Sequence, residues 1–112
     1  METLGLVETT PGNYSLLLDA GSTPVDTVVR SLGYEPHGYF WAAVARMLVS
    51  TDAPDLEGRF SYDPEAGMFC AYGTDRAGLE SLAKLLTPVT TDPDQARKAV
   101  ALAVAKGVDL DD

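Results

Sequence analysis

One segment constrains the fold of this chain more than any other: residues 59–73, which read RFSYDPEAGMFCAYG. The centre of the segment is a turn sequence, because Asp63 can accept from nearby backbone amides, Pro64 fixes its own φ, and Gly67 permits a positive φ. The flanking residues are mainly aromatic and apolar types that suit a half-buried strand. We therefore predict a β-hairpin here, which places an antiparallel sheet in the middle of the chain.

Two further strands are predicted before this hairpin, at residues 3–9 and 14–19, with a turn at Pro11-Gly12-Asn13 between them. Thr23 and Pro24 then form a helix start, with Thr23 as the N-cap and Pro24 in the first helical position. Gly33 is placed to end this helix.

Residues 39–49 are apolar on nearly every side and carry one charge, Arg46. Such a pattern is typical of a helix that is either enclosed in the core or covered by a partner, and we favour the core. A polar loop is expected at residues 50–58. Tyr39 and Trp41 are interpreted as core anchors.

Two more helices are predicted after the hairpin. The first is capped at Thr74-Asp75 and is expected to stop near Pro88, because proline removes a backbone donor. The last is capped by Asp92, with Gln95 as a capping-box residue and Val104 on its apolar side, and Gly107 closes it. The acidic end, residues 109–112, is expected to fray.

The order of elements is therefore ββααββαα. It predicts an α+β fold in which an antiparallel sheet of about four strands carries helices packed on one face. The length of 112 residues fits a single domain over residues 1–112.

The charge balance limits the classes of partner. The chain has 17 acidic and 8 basic residues, for a formal net charge of −9. Such an excess disfavours nucleic acid and anionic membranes and favours a basic protein partner. No apolar run approaches the roughly 18 residues of a membrane helix, so we expect a cytoplasmic protein.

Residues able to carry chemistry are few. The single histidine, His37, and the single cysteine, Cys70, cannot assemble a zinc site or an internal disulfide. Cys70 is expected to be a buried thiol in a strand. We predict no catalysis, no cofactor and no metal, although a small enzyme using Asp63, Glu65 and His37 remains an alternative.

Two blocks of the sequence resemble a known family. Gly33-Tyr34-Glu35, followed by Gly38-Tyr39-Phe40-Trp41 and a helix through Arg46, is similar to the first signature of the immunity protein 51 family of bacterial polymorphic toxin systems. Residues 60–69, in the hairpin, resemble the second. Residues 35–38 depart from the second glycine and the small polar residue that the family pattern leads us to expect.

The resemblance implies a protein that binds a cognate toxin and neutralises it by occluding its active site. The negative charge fits a nuclease or another toxin with a basic cleft. The free protein is expected to be a monomer or weak dimer. Nine residues are candidates for contact with the toxin: Tyr34, Glu35, His37, Tyr39, Asp52, Asp55, Glu57, Asp63 and Glu65.

A second function class stays open. The chain could be an intracellular adaptor or secretion chaperone that dimerises, or binds a partner, through the apolar helix at residues 39–49.

Overall fold

The computed structural model describes residues 4–110. Its sheet has four strands: β1 (Leu4–Thr10), β2 (Asn13–Asp19), β3 (Ser61–Tyr62) and β4 (Met68–Gly73). The spatial order is β1-β2-β4-β3, and every neighbouring pair is antiparallel. Thr3, where the first strand was expected to begin, and Asp111 and Asp112 lie outside the described residues.

The helices are α1 (Asp26–Ser31), α2 (Gly38–Asp52), α3 (Arg76–Thr91) and α4 (Pro93–Lys106). A short 3₁₀ helix, Pro54–Leu56, follows α2. Helices α2 and α3 pack directly on the sheet, while α4 packs on both of them and on α1. The predicted order ββααββαα and the α+β class are confirmed.

The core lies between the sheet and α2 and α3. Successive residues of a strand point to opposite faces, and the face turned toward the helices presents Leu16, Leu18 and Phe69, each at most 1% exposed. From α2, Phe40 and Trp41 pack edge to face, with ring centroids 4.9 Å apart. Burying a side chain of this size stabilises the fold by about 1.5–3 kcal/mol. The interpretation of residues 39–49 as a core helix is confirmed.

The hairpin is confirmed, but its turn differs from the prediction. Backbone bonds close it: the Glu65 amide donates to the Met68 carbonyl at 2.8 Å, and the Met68 amide donates to the Glu65 carbonyl at 3.1 Å. Gly67 does not adopt a positive φ. Within residues 4–110 the Asp63 carboxylate accepts no hydrogen bond, so it is not the acceptor of the turn. These two backbone bonds close the two-residue loop, Ala66-Gly67, without a positive φ at either residue.

The start of α1 was also predicted incorrectly. The N-cap is Val25, and no side chain caps the helix. The Thr23 hydroxyl donates to the Asp26 carboxylate instead, and both side chains are buried. This hydrogen bond satisfies the polar atoms of the buried pair and stabilises the turn before the helix. The Thr23 hydroxyl is therefore not used to cap the first helical amides.

Two helices extend beyond their predicted ends. The helix α2 continues to Asp52, so the expected polar loop at residues 50–58 is partly helical. The helix α3 continues through Pro88 to Thr91. A proline inside a helix is unfavourable, but the turn after it buries Val89 and Thr90 in the core. That burial offsets the missing backbone bond.

The last helix begins and ends as predicted. The Asp92 carboxylate accepts from the Asp94 amide at 2.9 Å, and Gly107 closes the helix with φ = 72°. The prediction for Val104 is wrong, because that side chain is 60% exposed. Leu110 is buried in the core, so the prediction of fraying is wrong for that residue.

Candidate functional site

The two sequence blocks that resemble the family meet in space. The Gly38 amide, at the start of α2, donates to the Ala66 carbonyl in the hairpin turn at 3.1 Å. A Cβ atom added to Gly38 would lie 1.9 Å from the Glu65 carbonyl oxygen and 2.2 Å from that of Met68. Glycine is therefore required by this close approach, and the first block is seated directly on the second.

His37 has a structural function in this junction. Its Nδ1 accepts from the Phe40 amide at 2.9 Å, so its imidazole is the N-cap of α2. Small polar side chains usually fill this position, because they satisfy an amide that the helix leaves unpaired. Its ring also contacts Tyr39 edge to face, with centroids 5.5 Å apart. The sequence pattern around Pro36-His37-Gly38 gave no signal for this capping function.

The connection between α1 and α2, together with the first turn of α2, carries four of the predicted contact residues. Tyr39 is 40% exposed, so the prediction that it is a core anchor is wrong, whereas Trp41, at 1%, is a core anchor as predicted. Tyr34 is half-buried against Phe40. Glu35 is exposed and lies 3.3 Å from the guanidinium of Arg30. We name Tyr34, Glu35, His37 and Tyr39 the loop patch.

The two predicted carboxylates of the hairpin, Glu65 and Asp63, lie in different places. Glu65 adjoins the loop patch, because its carbonyl faces Gly38. Asp63 points away from the helices, opposite Cys70 on the far face of the sheet.

The remaining three, Asp52, Asp55 and Glu57, are exposed around the C-terminal end of α2. At a rise of 1.5 Å per residue, Asp52 is roughly 21 Å from Gly38 along the helix. The nine candidates therefore do not form one continuous site.

An open groove of about 370 Å³ runs between α2, the 3₁₀ helix and β3. Within it, the Arg46 guanidinium carbon lies 4.7 Å from the centroid of the Tyr62 ring. Burial raises the pKa of Tyr62 to about 12, Arg46 opposes this shift and Glu57 adds to it. Tyr62 therefore stays protonated at neutral pH. Sequence reasoning did not identify this pair, because Arg46 looked like an isolated charge on an apolar helix.

The cysteine and the histidine both contribute to the fold. Cys70 is 8% exposed, as predicted for a buried thiol. Burial raises the pKa of Cys70, a hydrogen bond with Ser15 opposes the shift, and Asp63 and Glu65 add to it. His37 uses its Nδ1 for the Phe40 amide. Residues 4–110 contain no group of three or more His, Cys, Asp or Glu side chains placed to hold a metal ion.

The adaptor alternative requires an uncovered apolar helix, and α2 does not provide one. Nine of its residues are buried, and those exposed on its surface include Tyr39, Arg46 and Ser50. This exposed stripe is mainly polar, so it does not form the hydrophobic face that such a dimer or groove would need.

Comparison with known proteins assigns the chain to a family. The sequence model described as Immunity protein 51 matches residues 4–103. The searches of curated proteins and of solved structures gave no match. Within residues 4–110, no helix is long and apolar enough to cross a membrane. Because the family match spans both blocks and all four strands, the chain belongs to the immunity protein 51 family, the immunity proteins of toxin systems.

Proposed function

We propose that this protein binds its cognate toxin in the cytoplasm of the producing cell and occludes the toxin active site without any catalysis. The observation that carries this proposal is the family match together with the distribution of charge. The four strands contain no Lys, Arg or His, while the helices and connections hold all of the basic residues. A negative sheet region suits a partner with a positive surface.

The proposed target is a toxin with a basic active-site cleft, of which a nuclease is the clearest example. A cleft that binds phosphates presents Lys and Arg side chains, and exposed carboxylates can occupy the place of those phosphates. Opposite net charges also accelerate association by steering the two proteins together.

The arrangement of the nine candidate residues divides their proposed functions. We assign to toxin contact the loop patch and Glu65, which adjoin at the hairpin turn, and Asp63, which lies on the far face of the same hairpin. Asp52, Asp55 and Glu57 lie at the other end of α2, and we assign them to long-range steering rather than to contact.

The experiment is a protection assay. The toxin domain encoded beside this gene is expressed in a sensitive host, alone and with this chain. We expect growth to be restored only in the presence of the chain, and a catalytically inactive toxin domain to elute with it as a heterodimer. A toxin that kills equally with and without the chain, and does not co-elute with it, would contradict the proposal.

A dimer assay separates the adaptor function. The free chain should elute as a monomer or a weak dimer over a range of concentrations. A constitutive dimer that does not bind the toxin would favour the adaptor instead.

A further inference from the structure

The face of the sheet that points away from the helices is uncovered and partly apolar. Val7 and Tyr72 are 43% and 44% exposed, and Leu17 and Met68 are half-buried. Cys70 lies between them. The helices pack on the opposite face, which carries Leu16, Leu18 and Phe69. We name the uncovered surface the outer face: Gly5, Val7, Ser15, Leu17, Met68, Cys70 and Tyr72.

The strand register makes the outer face continuous. Ser15 of β2 pairs with Val7 on one side and with Tyr72 on the other. Leu17 pairs likewise with Gly5 and Cys70. Side chains paired across adjacent strands lie about 4.5–5.5 Å apart, so these residues form one surface in which Val7 and Tyr72 lie on either side of Ser15.

Three carboxylates border the outer face at the end nearest the hairpin turn, whereas at the other end of the sheet the Arg76 guanidinium lies 5.7 Å from the Tyr14 ring. Asp19 pairs with Met68 at one end of the sheet. Asp63 lies beside Cys70 and Glu65 bridges to Met68, and both carboxylates act electrostatically on the Cys70 thiol. Since β1–β4 contain no basic residue, nothing on the strands neutralises these three carboxylates.

These carboxylates favour a basic partner protein over a second copy of this chain. A second copy would bring its own Asp19, Asp63 and Glu65 against the same three residues, and like charges facing each other are unfavourable. A protein with an apolar centre and basic groups around it would instead match both the apolar strip and its carboxylate border.

The size of the surface also fits a partner protein. The four strands, of which β3 has only two residues, present roughly 350 Å² at the usual strand spacing and rise, against roughly 800 Å² per partner in an ordinary interface. The hairpin turn and the loop patch adjoin one end of the face, and they supply further area.

We propose that the outer face is the surface on which the cognate toxin docks, with the exposed Val7 and Tyr72 making apolar contacts and Asp19, Asp63 and Glu65 pairing with basic toxin side chains. This inference rests on the proposed function, because it names where that binding takes place.

The test compares two double variants that carry the same charge change. The first variant alters the outer face and carries Val7→Arg with Tyr72→Arg. The control alters side chains of comparable or greater exposure on the helical side and carries Leu32→Arg with Val104→Arg. Binding to the catalytically inactive toxin domain encoded beside the gene is measured by calorimetry. We expect the first pair to weaken binding by 30-fold or more, as loss of hot-spot residues does, and the second pair to change it less than about 3-fold.

A second pair of variants tests the carboxylates. The first triple variant removes three charges beside the outer face: Asp19→Asn, Asp63→Asn and Glu65→Gln. The second removes three charges at the far end of α2: Asp52→Asn, Asp55→Asn and Glu57→Gln. The first triple variant should slow association and also accelerate dissociation, because its carboxylates contact the toxin, whereas the second should slow association only.

The outcomes separate the two proposals. If the unmodified chain does not bind the toxin, the proposed function fails and the docking surface with it. If the unmodified chain binds and the outer-face variants bind equally well, or weaken no more than the helical-side variants, the docking surface alone is overturned.

Urea unfolding checks that each variant is folded. Where Arg unfolds the sheet, Val7→Thr with Tyr72→Thr removes the apolar area with a strand-favouring residue, and the same 30-fold criterion applies.

Discussion

Two effects on the free energy of unfolding oppose each other when Gly38 is replaced by alanine. Gly38 is the first residue of α2, and intrinsic helix propensity alone predicts a gain of up to about 1 kcal/mol from alanine. In the structure, however, the new Cβ would lie 1.9 Å from the Glu65 carbonyl oxygen, and real Cβ contacts do not fall below 3.0 Å. The loop and the hairpin would have to separate by about 1 Å.

The structural effect outweighs the propensity. Separation breaks the 3.1 Å bond from the Gly38 amide to the Ala66 carbonyl, and leaving a buried amide unpaired costs about 1–3 kcal/mol. Forcing an extra methyl group between packed backbones costs about 1–3 kcal/mol more. Allowing for propensity, we expect a net loss of about 3 kcal/mol in the free energy of unfolding, and a melting temperature lower by roughly 10 °C.

Urea unfolding followed by circular dichroism measures this change, and Gly67→Ala is the matched control. Gly67 lies in the same hairpin turn, with no atom within 4 Å of its Cβ position and no positive φ. The control should stay within about 0.5 kcal/mol of the parent, on the stabilising side. A Gly38→Ala protein as stable as the parent would refute the requirement for close backbone approach.

Three further predictions concern the N-cap of α2, the core and the N-cap of α3. His37→Ala should lower the free energy of unfolding by about 1 kcal/mol, and His37→Asn should restore it, because the cap needs an acceptor; thermal melts measure both. Trp41→Phe should cost less than the roughly 3–5 kcal/mol of a Trp→Ala change, because the indole N–H finds no partner within residues 4–110; its toxin affinity, measured by calorimetry, should not change. The hydrogen bond from Arg59 and then that from the Gly78 amide hold the pKa of Asp75 below its usual value. The stabilisation from Asp75 is therefore present above the unfolded pKa of about 3.9 and is lost as the pH falls toward the lower folded value. Below about pH 4, urea unfolding of Asp75→Asn should show a smaller pH-dependent loss than the parent.

Each of these has a contradicting result. If His37→Asn is as unstable as His37→Ala, the imidazole does not act as a cap. If Trp41→Phe weakens toxin binding without lowering stability, Trp41 is an interface residue rather than a core anchor. If the acid transitions of the parent and Asp75→Asn coincide, the Arg59–Asp75 pair, joined at 2.6 Å, does not stabilise the fold.

Much of the fold could be read from local signals. The strands, the caps at Asp75 and Asp92, and the closing turn at Gly107 each depend on residues near one another in the chain. The family blocks were also visible. Two details failed. The helix α3 passes through Pro88 because the following turn packs into the core, and α1 begins after Val25 without a side-chain cap because Thr23 bonds to the Asp26 carboxylate instead.

The candidate site was less predictable, for a related reason. A list of exposed polar residues does not show that Asp52 and Glu65 lie at opposite ends of a helix. Nor does it show that Val7 and Tyr72, 65 positions apart in the sequence, share one surface. That surface depends on the strand order β1-β2-β4-β3, which places the two residues on either side of Ser15. No local pattern encodes this order.

The central claim is that the protein inhibits a toxin by occupying it, without turnover. Titrating the chain into a fixed amount of the purified toxin domain measures this directly through residual toxin activity. Inhibition should be complete at one equivalent, and toxin separated under denaturing conditions and refolded should regain full activity. Complete inhibition by far less than one equivalent, with toxin that stays inactive after separation, would show catalytic modification and contradict the account.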